Sequence, residues 1–161
     1  MEYAKLETLT IHTFDKNDVK ALEFIKKLCN DETIKARFQG LLVGLLNNKN
    51  NDFFNHGFLV SYNDTYIGYI NIGEFNNEEK YVYLRADIDK DIRGAKYGQR
   101  LLSEITEYIF INYPQVESIR LKIASDNKPS LKVADSCGFV LAGYEIYAKN
   151  NPYISNKIKN Y

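Results

Sequence analysis

At 161 residues, 45% of them hydrophobic and 26% charged, the chain has the size and composition of one ordinary globular domain, not of a disordered or disulfide-stapled one. Lys+Arg and Asp+Glu both number 21, so no global basic field draws it to nucleic acid or to an anionic membrane surface. Cys29 and Cys137 lie far apart without CxxC or Cys/His spacing and read as small buried hydrophobes; no apolar signal region follows Met1, and a cytoplasmic chain without a membrane partner is expected.

In chain order, Leu6 to Phe14 alternates in polarity and predicts a first strand. Asp15 or Asp18 can cap a helix that carries Val19, Leu22, Ile25 and Leu28 on one face. A second helix is expected from Asp31, with Ile34, Phe38, Leu41, Leu42 and Leu45 at helical spacing, followed by the polar loop Asn47 to Asp52. Gly57 to Tyr62 and Tyr66 to Ile72, joined through Asn63-Asp64, predict a hairpin. Tyr81 to Ile88 reads as a fourth strand, and a long amphipathic helix from about Lys96 ends before Pro114. Ile119, Leu121 and Ile123 alternate in a fifth strand, and a short helix runs from Pro129 to about Cys137. Gly138-Phe139 opens a sixth strand towards Tyr147, and Tyr153 to Ile158 can add a seventh. The order is mixed α/β with an antiparallel first half, unlike a regular βαβ repeat.

The segment Asp91-Ile92-Arg93-Gly94-Ala95-Lys96-Tyr97-Gly98-Gln99-Arg100 lies between a strand and the start of the long helix. Free backbone N–H groups and the positive dipole end of a helix make an anion site there, with Arg93, Lys96 and Arg100 adding charge. It is neither a Walker loop nor GxGxxG, and a solvated basic turn is the alternative. Further on, Asn127, Ser130, Ala134 and Gly138-Phe139 follow the fifth strand at regular spacing.

These two segments resemble the diphosphate loop (Arg/Gln-x-x-Gly-x-Gly/Ala) and the Asn-x-x-Ser-x-x-x-Ala-x-x-x-Gly-Phe signature of the GNAT N-acetyltransferases, especially the branch that acetylates N-termini of ribosomal proteins. Arg93 and Gly98 match the loop's outer positions, while Lys96 stands in place of its middle glycine and is expected to keep ordinary helical angles. The resemblance implies a single domain over residues 1–161 with the GNAT fold. That fold is a mostly antiparallel sheet of six to seven strands with four helices, its fourth and fifth strands splayed around the co-substrate acetyl-CoA. Ala86, Asp87 and Ile88 would offer backbone groups to the pantetheine and acetyl carbonyl; Arg93, Gly94, Ala95, Lys96, Tyr97, Gly98 and Gln99 would take the diphosphate, and Asn127 and Ser130 would line the arm.

The implied reaction is direct attack of an amine on the thioester, and it needs a base for the amine and an acid for the leaving thiolate. Where many relatives carry a tyrosine acid this chain has Ala134, so Ser130 is the first candidate, with Tyr144 and Tyr147 as rivals. Glu79, with Glu74 and Glu78, is a candidate base, although each also reads as a solvated carboxylate, and backbone-relayed water would serve. Deprotonating an α-amine at pH 7 costs about 1.4 kcal/mol against roughly 4.6 for lysine, so a site without a strong base leans towards a peptide N-terminus. Polyamines or aminoglycosides are the alternative acceptors, with Asp31 and Glu32 in view, and a non-catalytic CoA sensor is the alternative of another class. His12 and His56 lack partners at ligand spacing, and no metal is expected. A homodimer through an edge strand is compatible with the sequence.

Overall fold

A computed structural model describes residues 1–32, 53–93 and 96–154. Their strands are β1 (Glu2–Lys5), β2 (Thr10–His12), β3 (His56–Tyr62), β4 (Thr65–Ile72), β5 (Tyr81–Ile88), β6 (Ser118–Lys122), β7 (Val140–Gly143) and β8 (Ile146–Asn150). They form one sheet in the order β1-β2-β3-β4-β5-β6-β8-β7. Every pairing is antiparallel except β5 with β6. The helices are α1 (Val19–Cys29), α2 (Tyr97–Asn112) and α3 (Lys128–Ser136), with a 3-10 turn at Lys90–Ile92. Of the expected second helix, all beyond Glu32 lies outside the described residues.

Among the described residues the sheet thus has eight strands where six to seven were expected, because a strand precedes the expected first one and the expected sixth is a hairpin. Of the single strand expected from Leu6 to Phe14 only Thr10–His12 is strand, and β1 precedes it: Leu6 N–H donates to Leu9 O at 2.8 Å, turning the chain between β1 and β2 so that both leucines enter the core. Glu104 of α2 holds this turn, its carboxylate accepting from Thr8 N–H (2.6 Å), the Thr8 hydroxyl (2.5 Å) and Leu9 N–H (2.9 Å). The strand expected from Gly138 to Tyr147 is likewise broken at Tyr144-Glu145, where Glu145 takes φ 54°. Pro152 to Ile154 is a helical turn where the expected seventh strand would begin, and the rest of that strand, residues 155–158, lies outside the described residues. The Asn63-Asp64 hairpin forms as expected, with φ 48° and 64°, the left-handed pair a tight two-residue turn requires.

Asp18 caps α1, its carboxylate accepting from Ala21 N–H at 3.1 Å, and Lys26 and Lys27 in the last turn complement the dipole. The buried stripe is Ala21, Phe24, Ile25 and Leu28 against Leu59 and Tyr69. The expected face is therefore rotated: Val19 and Leu22 are exposed, because the phenyl ring of Phe24 contributes more apolar area than either. On the opposite face of the sheet, α2 lays Leu101, Leu102, Ile105 and Ile109 over Val82, Leu84, Ile119 and Leu121, and α3 joins it through Ala134. The sheet is thus sandwiched, with α1 on one side and α2 and α3 on the other.

Candidate active site

β5 and β6 pair in parallel from Tyr81 with Ser118 to Leu84 with Leu121, and there the register stops. β5 runs on to Ile88 bonded to β4, whose Gly68 faces Ile88. The geometry of β4 accounts for this. Val60 pairs with Gly68 but Ser61 with Tyr66, so Ile67 is an extra residue, and a bulge of this kind bends its strand. A Cβ at Gly68 would sit 2.4 Å from the Asp87 carbonyl oxygen and 3.0 Å from Ile88 Cδ1, so glycine lets the tail of β5 follow β4 rather than β6. The two parallel strands consequently part beyond Leu84 and Leu121.

Ladder alternation decides which backbone groups the gap receives. Tyr83 O accepts from Gly73 N–H and Asp89 N–H donates to Ile67 O, both at 2.8 Å and both towards β4. With a two-residue period, Arg85 and Asp87 face the same way, while Ala86 and Ile88 turn their amides towards the side that β6 has left. Asp87, grouped with them in the sequence reading, has its backbone on β4, and its carboxylate accepts from the buried Tyr69 hydroxyl at 2.7 Å on the α1 face. Ala86 shares the helix-packed face of Val82 and Leu84, and its exposed methyl leaves that side of the gap open.

Past Ile88 the chain makes a crook. Asp89 is buried and its carboxylate accepts from Asp91 N–H at 3.2 Å, closing the 3-10 turn. Lys27 of α1 reaches both Asp89 (2.6 Å) and Asp91 (2.7 Å); these hydrogen bonds raise the lysine above its ordinary range and lower Asp91 below its own. Arg93 donates from Nε to Ile88 O at 2.9 Å and from its guanidinium to the buried Asp31 at 3.1 Å. Asp31, considered above for an acceptor pocket, is thus engaged with this crook. Gly94 and Ala95 lie outside the described residues.

Lys96 then takes φ 63°, ψ 17° as the residue before α2, contrary to the helical angles expected of it. It adopts the left-handed conformation natural to the glycine it replaces, because the chain must turn there to enter the helix. Among the described residues no side chain caps α2; the first amide to find a helical partner is Arg100 N–H, to Lys96 O at 3.0 Å. The amides of Tyr97, Gly98 and Gln99 therefore lack intrahelical acceptors, the condition that an anion site at this helix start requires. Arg100 instead stacks over Tyr62 and Tyr97, at 5.1 and 5.5 Å from their ring centres.

The second half of α3 and its C-cap Cys137 stand beside the first turn of α2. Gly98 and Val133 are neighbours, and the Cys137 thiol donates to Gln99 O at 3.6 Å. Asn127 caps α3, its Oδ1 accepting from Ser130 N–H at 3.3 Å, so its amide nitrogen is the group left to meet a ligand. Ser130 is half-buried in the same first turn. Ala134 is buried against the core, with no hydroxyl where a tyrosine acid would stand. Burial pushes the Cys137 thiol up, which disfavours a nucleophilic thiolate.

The remaining candidates lie farther off. Tyr147 pairs with Leu121 and packs against the helix-side core, one strand beyond the gap. Tyr144 is an exposed turn residue. Glu79 is not brought to the gap: it precedes β5, pairs with Arg120 at 3.5 Å, and Tyr81 to Ala86 alone spans about 17 Å of strand. Two features escaped sequence reasoning, the Tyr69–Asp87 bond and the Lys27/Asp31 ties to the crook. Both join residues 18 or 62 positions apart, for which no local pattern exists.

Among the described residues no group of three or more His, Cys, Asp and Glu could hold a metal ion, and no helix is long and apolar enough to cross a membrane. No curated protein matches the sequence significantly. Solved structures do match in fold. A chimera of the Vibrio cholerae spermidine N-acetyltransferase SpeG with hSSAT has a TM-score of 0.72 at 20% identity, covering 93% of this chain and 99% of its own. The ribosomal-protein α-N-acetyltransferase RimL in complex with coenzyme A has a TM-score of 0.64 at 17% identity, covering 93% and 98%. The Campylobacter jejuni N-acetyltransferase PseH in complex with acetyl coenzyme A has 0.65 at 18%, covering 88% and 98%. The sequence model of the acetyltransferase (GNAT) domain matches residues 4–140, and with that match the chain belongs to the GNAT acetyltransferase family.

Proposed function

We propose that residues 1–161 form one acetyltransferase domain that moves an acetyl group from acetyl-CoA to a primary amine by direct attack, with a peptide or protein N-terminus as the acceptor. The observation that carries this reading is the parting of β5 and β6 beyond Leu84 and Leu121, directly beside the uncapped start of α2. The groups present fit the co-substrate. Ala86 and Ile88 turn backbone amides into the gap, a small side chain leaves its helix side open, and three free amides with Lys96 suit a diphosphate. When bound, acetyl-CoA supplies a thioester whose acetyl carbon is attacked by the amine and whose thiolate leaves.

The chain's own groups perform the rest. The Ile88 and Ala86 amides are preorganised to donate to an oxygen that gains negative charge. Tyr97, Gly98 and Gln99 hold the anion, and Asn127 fixes the start of α3, so the main contribution is orientation. Ser130, in that first turn, is the donor for the departing sulfur. Glu79, the first-named candidate base, stands away from the gap with Arg120, which favours an amine of low pKa over lysine. Lys96 keeps the left-handed angles natural to the glycine it replaces, which supports CoA binding, a property that the enzyme and sensor readings share. A polyamine acceptor is the second reading, motivated by the fold shared with a spermidine acetyltransferase.

The test is thiol release from acetyl-CoA with peptides of varied N-termini, polyamines and aminoglycosides. Turnover of peptides is expected, and Ser130→Ala should lower kcat on the order of 10- to 100-fold at unchanged CoA affinity. Calorimetric binding without transfer to any amine would replace the enzyme reading by the sensor reading, and no binding would remove both.

A further inference from the structure

Arg93 occupies the first position of the diphosphate loop, yet its side chain is committed elsewhere. Nε holds Ile88 O at 2.9 Å, folding the crook back on the last residue of β5. The guanidinium is anchored at 3.1 Å on Asp31, a carboxylate buried just past the end of α1. One turn earlier on the same helix, Lys27 grips Asp89 and Asp91 of the same crook at 2.6 and 2.7 Å. The end of α1, on one face of the sheet, is thereby tied to a loop whose exit is the α2 cradle on the other face.

We propose that Arg93 is a positioning residue, not a phosphate ligand: anchored by Asp31, it holds the Ile88 carbonyl and with it the backbone angles of Ile88 that turn its amide towards the acyl carbonyl. This rests on the acetyl-CoA reading above. Ile88 O and Ile88 N–H belong to one residue at the edge of the gap, and β6 no longer holds them there. A planar guanidinium with donors in a fixed fork can hold a carbonyl and a carboxylate at once, which a lysine ammonium does with far less directional control. Phosphate charge is left to Lys96 and the free amides of α2, so the salt dependence of binding belongs to that group and not to Arg93.

The test needs no knowledge of the acceptor. The affinities of CoA and of a ketone analogue of acetyl-CoA, with CH2 between sulfur and carbonyl, are measured by calorimetry at low and high salt. The wild-type protein should bind the ketone several-fold more tightly than CoA. Arg93→Gln and Asp31→Asn should abolish that preference while leaving CoA affinity and its salt dependence within about twofold. Asp31→Glu should restore part of the preference, a rescue that a general loss of fold would not show. Weakening of CoA by tenfold or more with a flattened salt dependence in Arg93→Gln would make Arg93 a phosphate ligand and overturn the proposal. Preference retained in both variants, or absent from the wild-type protein while CoA still binds, overturns it as well. Failure of the wild-type protein to bind CoA at all overturns the functional reading instead. Should Arg93→Gln not fold, Asp31→Asn, which keeps the guanidinium, decides the matter.

Discussion

Replacing Lys96 by glycine tests the geometry of the cofactor loop most directly. The residue holds φ 63° before α2, a conformation that costs an L-residue about 1–2 kcal/mol and glycine nothing. Glycine gives back about 0.4–1 kcal/mol through the greater freedom of its unfolded chain. Removing a cation from the positive end of an uncapped helix adds a few tenths in favour of the variant. The net expectation is a gain of about 1 kcal/mol, or roughly 2–4 °C in midpoint for a chain of this length. Lys96→Ala keeps the Cβ strain and loses the same charge, so it isolates the backbone effect. Thermal denaturation of the unliganded protein should rank glycine above both lysine and alanine. Calorimetry should show CoA binding weakened about 2- to 5-fold in both variants at low salt, converging with wild type at high salt. A glycine variant no more stable than the alanine variant would refute the strained turn.

Gly68→Ala forces a Cβ against the Asp87 carbonyl at 2.4 Å, so backbone must move; a loss of about 2 kcal/mol or more in urea denaturation and weakened binding of the ketone analogue are expected. A neutral outcome would show that the tail of β5 does not depend on that close approach. Glu104→Ala strands the amides of Thr8 and Leu9 beneath α2 and should cost about 3 kcal/mol, read from the urea midpoint; a cost below 1 kcal/mol contradicts the pinned turn. The Tyr66 hydroxyl, donating at 2.7 Å, holds the Asp18 carboxyl below the usual range. A depressed carboxyl adds stability above its unfolded pKa, about 3.9, and loses it as pH falls through the folded value. Tyr66→Phe should therefore be destabilising at pH 6 and progressively less so towards pH 2–3; a penalty that grows in acid reverses the sign of this assignment.

What could be seen in the sequence is what depends on neighbours along the chain. The Asn63-Asp64 turn, the strand Tyr81–Ile88 and the approximate bounds of α2 and α3 are local matters of turn chemistry, periodicity and helix-start signals, and they stand in the structure where the residues place them. The succession of β5 and α2 was legible for the same reason: strand and helix are separated by only a short stretch of chain. Local pattern misled where a distant group intervened. Leu6 to Phe14 alternates like a strand, but Glu104 from α2 captures its amides and bends it. Lys96 looks like a helical residue, yet the path from β5 into α2 compels a left-handed turn. The site itself belongs to tertiary structure: the gap comes from a bulge at Ile67 and the contact of Gly68 with β5, and Arg93 is oriented by Asp31, 62 residues away. Hydrogen bonds and steric contacts act between atoms in space, and only where the chain folds back do they decide which backbone amides face the gap and which charges are paired.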